Sequence, residues 1–363
     1  AVITGGAGGG LALNNLDPAL PYAIRNFAAD GTVTINVDAA LTANHRVLSQ
    51  DAISLVSALS FTQNDSGVAA DGMATYEPNA PIHILSGDDI GVYAAATIPT
   101  YYSIAAHGAG SDIQLDAAND VNVSQGGVDA AVYAGGALTF TANRDINVGD
   151  LASGSSGHLR TGAGDLELDA GSNVNVSGNT QVTVDGAWNF IGDAYSGAFT
   201  MAPNTLINAD TGTAALSADA DVTLGSVMTT NSTGDAVRIT SRDGGIYGTA
   251  PQVDIIADSP GAVTTLTAEQ HIGTVAQPVT STIDILDAYT ENGHIYLQET
   301  NGLALRDVQA GTNAVAPGNG DITIRTLTGD VLAGYVIAAQ DVVNITADVG
   351  AIDEYGQDAL PPN

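Results

Sequence analysis

The stretch "GAGDLELDAGSNVNVSGN" (residues 162–179) decides the fold, because its pattern returns along the chain. A glycine-rich turn leads into alternating apolar and polar residues, then a short turn with Asp or Asn, then a second alternating run. The segments "GSDIQLDAANDVNVSQG" (110–126) and "GGALTFTANRDINVGD" (135–150) follow the same plan. Apolar residues two positions apart place one face of each strand inward, so each segment predicts a pair of short strands.

Looser copies continue as far as "QDVVNITADVGAIDE" (340–354), and successive copies begin about 20–30 residues apart. That period indicates a solenoid or a propeller, and two strands per repeat are too few for a four-stranded propeller blade. A single coil cannot bury its own apolar face, whereas stacked coils share a continuous core. The sequence therefore predicts an all-β fold, a right-handed parallel β-helix (β-solenoid) with about 20–30 residues per coil.

The pattern also predicts how the chain is divided. Residues 1–80 are less regular, since "LDPALPYAIRNF" (16–27) interrupts the alternation, and we expect an irregular N-terminal cap or first coils there. A solenoid needs such a cap because bare strand edges invite aggregation. The regular β-helix is expected over residues 81–354. Residues 355–363, with "GQDALPPN", are typical of a linker-like tail.

Charge excludes one large class of partner. The chain has 40 acidic residues against 8 basic ones and a net charge of −32. Binding to nucleic acid requires clustered Lys and Arg, so no nucleic-acid partner is expected. No apolar run approaches the roughly 18 residues of a membrane-spanning helix, so no transmembrane segment is expected. There is no Cys, which excludes disulfides.

The segments "GDLELDAGSNVNVSG", "GALTFTANRDINVGD" and "NGDITIRTLTGDVLAG" resemble the repeats of filamentous-haemagglutinin-like exoproteins, the secreted adhesins of two-partner secretion systems. The resemblance covers about residues 111–354. It implies a structural or adhesive rod segment of a bacterial extracellular or cell-surface protein, serving as an adhesin or fibre in attachment or biofilm. The family's N-terminal secretion signature is missing, so we expect an internal segment or a relative exported by another route.

Two kinds of partner are implied: glycans or proteins on host or neighbouring cells, and other copies of the chain stacked head to tail. Tyr101 and Tyr102, in "TIPTYYSI", are candidates for contact from a projecting loop. Trp188, the only Trp, is expected to pack in the core at a coil junction. The candidates for a strand that pairs with the next subunit are Ala1, Val2, Ile3 and Thr4.

Aspartates recur just before the second strand of several repeats, at Asp120, Asp145 and Asp221. One interpretation is that short Asx side chains satisfy the backbone of the turns while Asn stacks on Asn in ladders. A competing hypothesis is Ca²⁺ bound between stacked carboxylates that would otherwise repel one another. No cofactor is required by either interpretation, and Ca²⁺ is the one candidate ion.

An enzyme is the alternative function. The stretch "SGDDIGVY" (86–93) resembles the Gly-Asp-Asp segment of polygalacturonases, in which paired carboxylates hydrolyse a glycosidic bond. The resemblance implies catalytic roles for Asp88, Asp89 and His107. The family's Arg-Ile-Lys segment cannot be present, however, because the chain has no Lys. The prediction is therefore a protein without enzymatic activity, with a polysaccharide-degrading β-helix enzyme as the alternative.

Overall fold

The computed structural model describes most of the chain in stretches separated by gaps. The described residues are 2–5, 11–13, 22–26, 31–44, 46–64, 72–93, 102–124, 130–149, 156–249, 252–312, 320–339 and 341–356. They form strands and turns and contain no helix, and the strands stack as a parallel β-solenoid of about 12 turns. The predicted fold is confirmed. None of the described segments is a helix long and apolar enough to cross a membrane.

The chain divides into two compact units, Ala1–Tyr195 and Ser196–Asn363. The strands of the first unit are β1 (Val2–Gly5), β2 (Leu11–Leu13), β3 (Tyr22–Asn26), β4 (Val33–Val37), β5 (Leu41–Ala43), β6 (Arg46–Ser49), β7 (Ile53–Ser57), β8 (Phe61–Asn64), β9 (Met73–Thr75), β10 (Ile82–Ser86), β11 (Ile90–Tyr93), β12 (Ile104–Ala106), β13 (Ile113–Ala117), β14 (Val121–Val123), β15 (Ala130–Ala134), β16 (Leu138–Ala142), β17 (Ile146–Val148), β18 (Gly157–Thr161), β19 (Leu166–Ala170), β20 (Val174–Val176), β21 (Gln181–Val184) and β22 (Phe190–Ala194).

The strands of the second unit are β23 (Phe199–Met201), β24 (Leu206–Asn208), β25 (Ala214–Ala218), β26 (Val222–Leu224), β27 (Ser226–Met228), β28 (Val237–Ser241), β29 (Ile246–Gly248), β30 (Ile255–Ala257), β31 (Val263–Ala268), β32 (Val279–Ile283), β33 (Ile285–Thr290), β34 (Ile295–Glu299), β35 (Leu303–Ala310), β36 (Ile322–Thr326), β37 (Val331–Ala338), β38 (Val343–Ala347) and β39 (Ile352–Glu354).

In the first unit every third strand joins the same parallel sheet, so each coil contributes one strand to each of three sheets. Sheet A has the order β1-β4-β7-β10-β13-β16-β19-β22, sheet B the order β2-β5-β8-β11-β14-β17-β20, and sheet C the order β3-β6-β9-β12-β15-β18-β21. Residues in register form columns along each sheet. In sheet A, for example, Phe140 of β16 pairs with Leu115 of β13 and with Leu168 of β19.

The second unit begins with three sheets and continues with two. Sheet D has the order β25-β28-β31-β33-β35-β37-β39, sheet E the order β23-β26-β29, and sheet F the order β24-β27-β30-β32-β34-β36-β38. Sheet E ends at β29 and is followed only by isolated bridges from Ile246 to Ile272 and from Ile272 to Ile295. The later coils of this unit therefore consist of strands of sheets D and F.

The core lies inside the coils, on the face that the period of two predicts. In β16 the residues Leu138, Phe140 and Ala142 are buried, and the residues between them are partly exposed. Four Phe side chains are among the largest that are fully buried: Phe61, Phe140, Phe190 and Phe199. Because apolar burial stabilises by roughly 25 cal/mol per Å², the repeated column of inward apolar residues is the main source of stability.

The region predicted as an irregular N-terminal cap or first coils, residues 1–80, contains coils. Strands β4 to β9 already pair in sheets A, B and C, in the same parallel arrangement as the later strands. The N-terminal strand β1 pairs with β4 of the same chain, with Ile3 opposite Ile35, and forms the edge of sheet A. Val2, Ile3 and Thr4 thus have a partner strand within the chain, while Ala1 lies outside the described residues.

Trp188 does not pack in the core as expected, since 46% of its side chain is exposed. It lies in the turn between β21 and β22, two residues after Gly186, which has a φ of 82°. A turn residue does not alternate between the two faces of a sheet, so the pattern that places strand residues inward does not apply there. At the other end, the amide of Tyr355 donates to the carbonyl of Ala333 at 2.9 Å, so the described part of the predicted tail is attached to a coil.

Candidate functional site

The aspartates predicted as Ca²⁺ ligands, together with the catalytic candidate Asp89, connect successive coils through backbone hydrogen bonds. Oδ1 of Asp89 accepts from the amide of Asp120 at 3.2 Å. Oδ1 of Asp120 accepts from the amide of Asp145 at 3.1 Å, and Oδ1 of Asp145 accepts from the amide of Asn173 at 3.0 Å. In the second unit, Oδ1 of Asp221 accepts from the amide of Gly245 at 2.9 Å. Each side chain therefore caps the equivalent position of the following coil.

The charge of Asp120 is compensated by Arg144. The guanidinium donates to both carboxylate oxygens of Asp120, and its Nε lies 2.7 Å from Oδ1. The same Nε lies 3.7 Å from Oδ2 of Asp145. Among the described residues, no three His, Cys, Asp or Glu side chains are grouped so that they could hold a metal ion. Ca²⁺ binding at Asp120, Asp145 and Asp221 stays a prediction, and the contacts shown are with Arg144, backbone amides and the side-chain amide of Asn173.

Asp120→Ala tests this capping role. We expect a loss of about 1–3 kcal/mol in the free energy of unfolding, because the side chain of Asp120 is nearly buried and the amide of Asp145 loses its acceptor. Asp120→Asn should recover part of the loss, since its carbonyl oxygen can still accept from the amide of Asp145. The measurement is urea unfolding followed by the fluorescence of Trp188, which lies in the same unit.

The matched control is Asp38→Ala, because Asp38 is exposed and its side chain bonds to no other described residue. Equal unfolding midpoints for Asp120→Ala and Asp38→Ala would contradict the capping role. The same titration with EDTA separates capping from metal binding. If EDTA lowers the stability of wild type as much as Asp120→Ala does, the aspartates bind Ca²⁺ instead.

An asparagine ladder lies beside this column, as the sequence predicted. Asn122, Asn147 and Asn175 are in register in sheet B. Nδ2 of Asn147 donates to Oδ1 of Asn122, and Nδ2 of Asn175 donates to Oδ1 of Asn147, both at 2.9 Å. Each of these two side-chain amides thus donates a hydrogen bond to the Asn of the preceding coil, and these bonds stabilise the stack of coils.

The three candidate catalytic residues lie at two places along one coil. Asp88 and Asp89 lie between β10 and β11, where sheet A passes to sheet B, and Asp88 accepts from the side-chain amide of Asn119. His107 follows β12 of sheet C, and its ring stacks on that of Tyr76 with the centroids 5.4 Å apart. The alternative mechanism requires a pair of carboxylates that flank the bond to be cleaved. Both aspartates instead bond the next coil.

His107 belongs to a cluster of four rings, hereafter the aromatic cluster: Tyr76, Tyr102, His107 and Tyr133. The centroids of Tyr102 and Tyr133 are 5.1 Å apart in a stacked arrangement. Those of His107 and Tyr133 are 5.9 Å apart, and those of Tyr102 and His107 are 6.2 Å apart. The sequence had singled out Tyr102 and His107 for different reasons, and the structure places them in one cluster. Tyr101 lies outside the described residues.

The aromatic cluster sits on the outer face of sheet C. Leu48, Ala74 and Ala105 form an outward column of that sheet; they are buried, and Tyr102 packs against them. Tyr133 continues the column after Ala105 and is followed in register by Arg160. Arg160 is hydrogen bonded to Asp185, which raises the pKa of its guanidinium, and the phenols of Tyr102 and Tyr133 raise it further.

This surface combines half-exposed rings, phenol hydroxyls and a charged pair. Aromatic side chains with a polar tip are common at binding surfaces, because the ring contacts apolar groups while the tip bonds to polar ones. Tyr76 and Tyr133 were missed in the sequence because each lies in a segment away from Tyr102 and His107. A signal exists for Tyr76, since Tyr76 and His107 each follow a sheet C strand directly, whereas Tyr133 lies within β15.

The second unit contains one buried carboxylate of a different kind. Glu299 ends β34 with its side chain directed inward and fully buried. It accepts from the hydroxyl of Ser281 at 2.6 Å and from the amide of Thr300 at 2.9 Å. Burial raises the pKa of Glu299 to about 7, and these hydrogen bonds reduce the shift. No polar pattern in the sequence marks this residue, because only its place at an inward position buries it.

The last described coil of the second unit leaves apolar residues uncovered. Val343 of β38 continues the inward column of Ile322, and Ile352 of β39 continues that of Val331. Ile322 and Val331 are fully buried, whereas Val343 and Ile352 are exposed. An apolar face of this kind is normally covered by another coil.

Comparison with known proteins identifies no relative. No protein-family description, curated protein or solved structure matches this chain.

Proposed function

We propose that the chain is a structural and adhesive segment, without enzymatic activity, of a bacterial extracellular or cell-surface protein of the filamentous-haemagglutinin-like type. The observation that carries the proposal is the use of the turn aspartates. Asp89, Asp120 and Asp145 bond the backbone of the following coil. A chain that uses its carboxylates to join coils is built as a scaffold. The lack of Cys suits export of an unfolded chain.

The adhesive part of the proposal rests on the aromatic cluster. It presents rings and hydroxyls on an outer face, where a glycan or a protein of a host or neighbouring cell can reach them. The partner is neutral or basic at the contact, because the chain carries a net charge of −32. Ion pairs with Asp further reduce the uncompensated positive charge of five arginines among the described residues: Arg144, Arg160, Arg238, Arg306 and Arg325.

The test is adhesion of beads coated with the purified chain to bacterial and epithelial cells. We expect wild-type beads to adhere above the level of albumin-coated beads, and the double variant Tyr76→Ser with Tyr133→Ser to lose most of this adhesion. The control is Tyr335→Ser, an exposed tyrosine of the second unit. Wild-type beads that adhere no better than albumin would contradict the adhesive role. If Tyr335→Ser loses as much adhesion as the double variant, the aromatic cluster is not the adhesive surface.

Stacking of copies head to tail is a second proposed property, and the uncovered residues of the last described coil support it. Strands β38 and β39 are the last strands of two parallel sheets, and β1 and β3 are edge strands of two parallel sheets at the other end of the chain. We expect Val343→Lys with Ile352→Lys to abolish concentration-dependent association in sedimentation velocity. Leu85→Lys, an exposed position of the first unit, is the control. A wild-type chain that stays monomeric at its highest soluble concentration would contradict stacking.

A further inference from the structure

The second unit carries a groove on the outer face of sheet F, and its lining residues belong neither to the aromatic cluster nor to the uncovered residues of the last described coil. It has a volume of about 370 Å³, within the roughly 300–1,000 Å³ that is typical of sites for small molecules. One wall is the turn over residues 273–278, and the floor is formed by strands β34 and β36. The lining residues include Val275, Pro278, Tyr296, Gln298, Thr323 and Arg325.

The wall is held in place by hydrogen bonds. The amide of Thr274 donates to the carbonyl of Gln277 at 2.9 Å, and the amide of Gln277 donates back to the carbonyl of Thr274 at 3.1 Å. Nε2 of Gln277 donates to the carbonyl of Gly248 at 2.6 Å, which fastens the turn to strand β29. Val275 at its tip is 78% exposed. An apolar residue so exposed on a fastened turn is available as a contact surface.

The floor presents a ring beside three hydrogen-bonding side chains. Tyr296 is in register with Thr323, and Gln298 is in register with Arg325. The ring of Tyr296 packs against His294, with the centroids 5.5 Å apart, which limits its rotation. Nε of Arg325 lies 3.0 Å from both carboxylate oxygens of Asp348, so the guanidinium is oriented as well.

The polar groups of the floor are available to a ligand. The side chains of Tyr296, Gln298 and Thr323 are half-buried, and none of them forms a hydrogen bond with another residue of the described stretches. Half-buried polar groups that face a groove lose hydration when the groove is filled, so they favour a ligand that bonds to them. The matching ligand has several hydroxyl groups and an apolar face for the ring of Tyr296 and for Val275.

We propose that this groove binds a neutral saccharide. A sugar ring offers a C–H face to the tyrosine ring and hydroxyls to the amide, hydroxyl and guanidinium groups of the floor. The net charge of −32 disfavours acidic sugars, so the neutral class is the one expected. The inference rests on the proposed adhesive function and assigns it a ligand class in the second unit, separate from the aromatic cluster of the first.

The test is saturation-transfer difference NMR with lactose, maltotriose, cellotriose and chitotriose, and with sialyllactose and trigalacturonic acid as acidic probes. We expect wild type to bind at least one neutral probe and neither acidic one. Tyr296→Ala should weaken binding by about tenfold or more, equivalent to about 1.4 kcal/mol. Arg325→Gln should weaken it less, because one of several hydrogen bonds is lost.

The matched controls are Tyr335→Ala and Arg238→Gln. Tyr335 is an exposed tyrosine of sheet D, and Arg238 is an exposed arginine that is paired with Asp235. Both should bind as wild type does, and circular dichroism should show that every variant is folded. The inference is overturned if no neutral probe binds to wild type, or if Tyr296→Ala binds as tightly as Tyr335→Ala. If coated beads adhere to cells but no neutral saccharide binds, this inference alone is overturned. If the coated beads do not adhere, the proposed function is overturned.

Discussion

Replacement of Phe140 by alanine is expected to lower the free energy of unfolding of the first unit by about 3–5 kcal/mol. The side chain is fully buried in sheet A, and its column neighbours Leu115 and Leu168 are fully buried as well. The loss combines the transfer of the ring to water with the cavity left between two neighbouring coils. Coils cannot move together to fill the cavity without breaking their parallel pairing. Urea unfolding followed by Trp188 fluorescence measures the loss.

Two variants serve as controls for this prediction. Phe140→Leu should cost less than about 1.5 kcal/mol, because leucine occupies the adjacent positions of the same column. Thr141→Ala, at the adjacent outward position of β16, should stay within about 0.5 kcal/mol of wild type. A loss in Phe140→Ala that does not exceed that of Thr141→Ala would show that the inward column does not stabilise the coils.

Replacement of Glu299 by glutamine is expected to stabilise the second unit at alkaline pH and to have little effect at acid pH. The folded state raises the pKa of Glu299 from 4.5 to about 7. A raised folded-state pKa contributes stability that is fully present below pH 4.5 and is lost as the pH rises through about 7. The shift corresponds to about 3 kcal/mol at 1.36 kcal/mol per pKa unit. The variant should therefore exceed wild type by up to about 3 kcal/mol at pH 8.5.

Thermal unfolding followed by circular dichroism at pH 4.5 and pH 8.5 measures this difference. The comparison is between variant and wild type at each pH, because the many other carboxylates titrate equally in both proteins. Glu291→Gln is the control, since Glu291 is also in the second unit but is only half-buried. A stability difference between Glu299→Gln and wild type that is the same at both pH values would show that the buried carboxylate does not titrate in this range.

Much of the fold could be predicted from the sequence, because the signals involved are local. The alternation in "LELDA" and "VNV" places Leu166 and Val174 inward within a few residues of chain, and the structure buries both. The ladder of Asn122, Asn147 and Asn175 was predictable for the same reason, since the three best repeats align without gaps over their second strand.

The candidate sites were predicted far less well, because membership in a column depends on the lengths of the intervening loops. Tyr76 and His107 stack although about thirty residues separate them, and no short-range pattern connects the two. Tyr102 packs against Leu48 and Ala74, which lie in earlier coils. The groove at Tyr296 requires a turn from an earlier coil beside a strand of a later one.

The sequence by itself determined the class of fold, the inward face of each regular strand and the asparagine ladder, because these follow from a period of two repeated in every coil. Only the tertiary structure decided which side chains meet. Register between coils brings Asp120 to the amide of Asp145, gathers the aromatic cluster and buries Glu299. The physical reason is that strand pairing aligns the backbones of successive coils. The length of each loop then determines which residue lies at each position, and loop lengths carry no periodic signal.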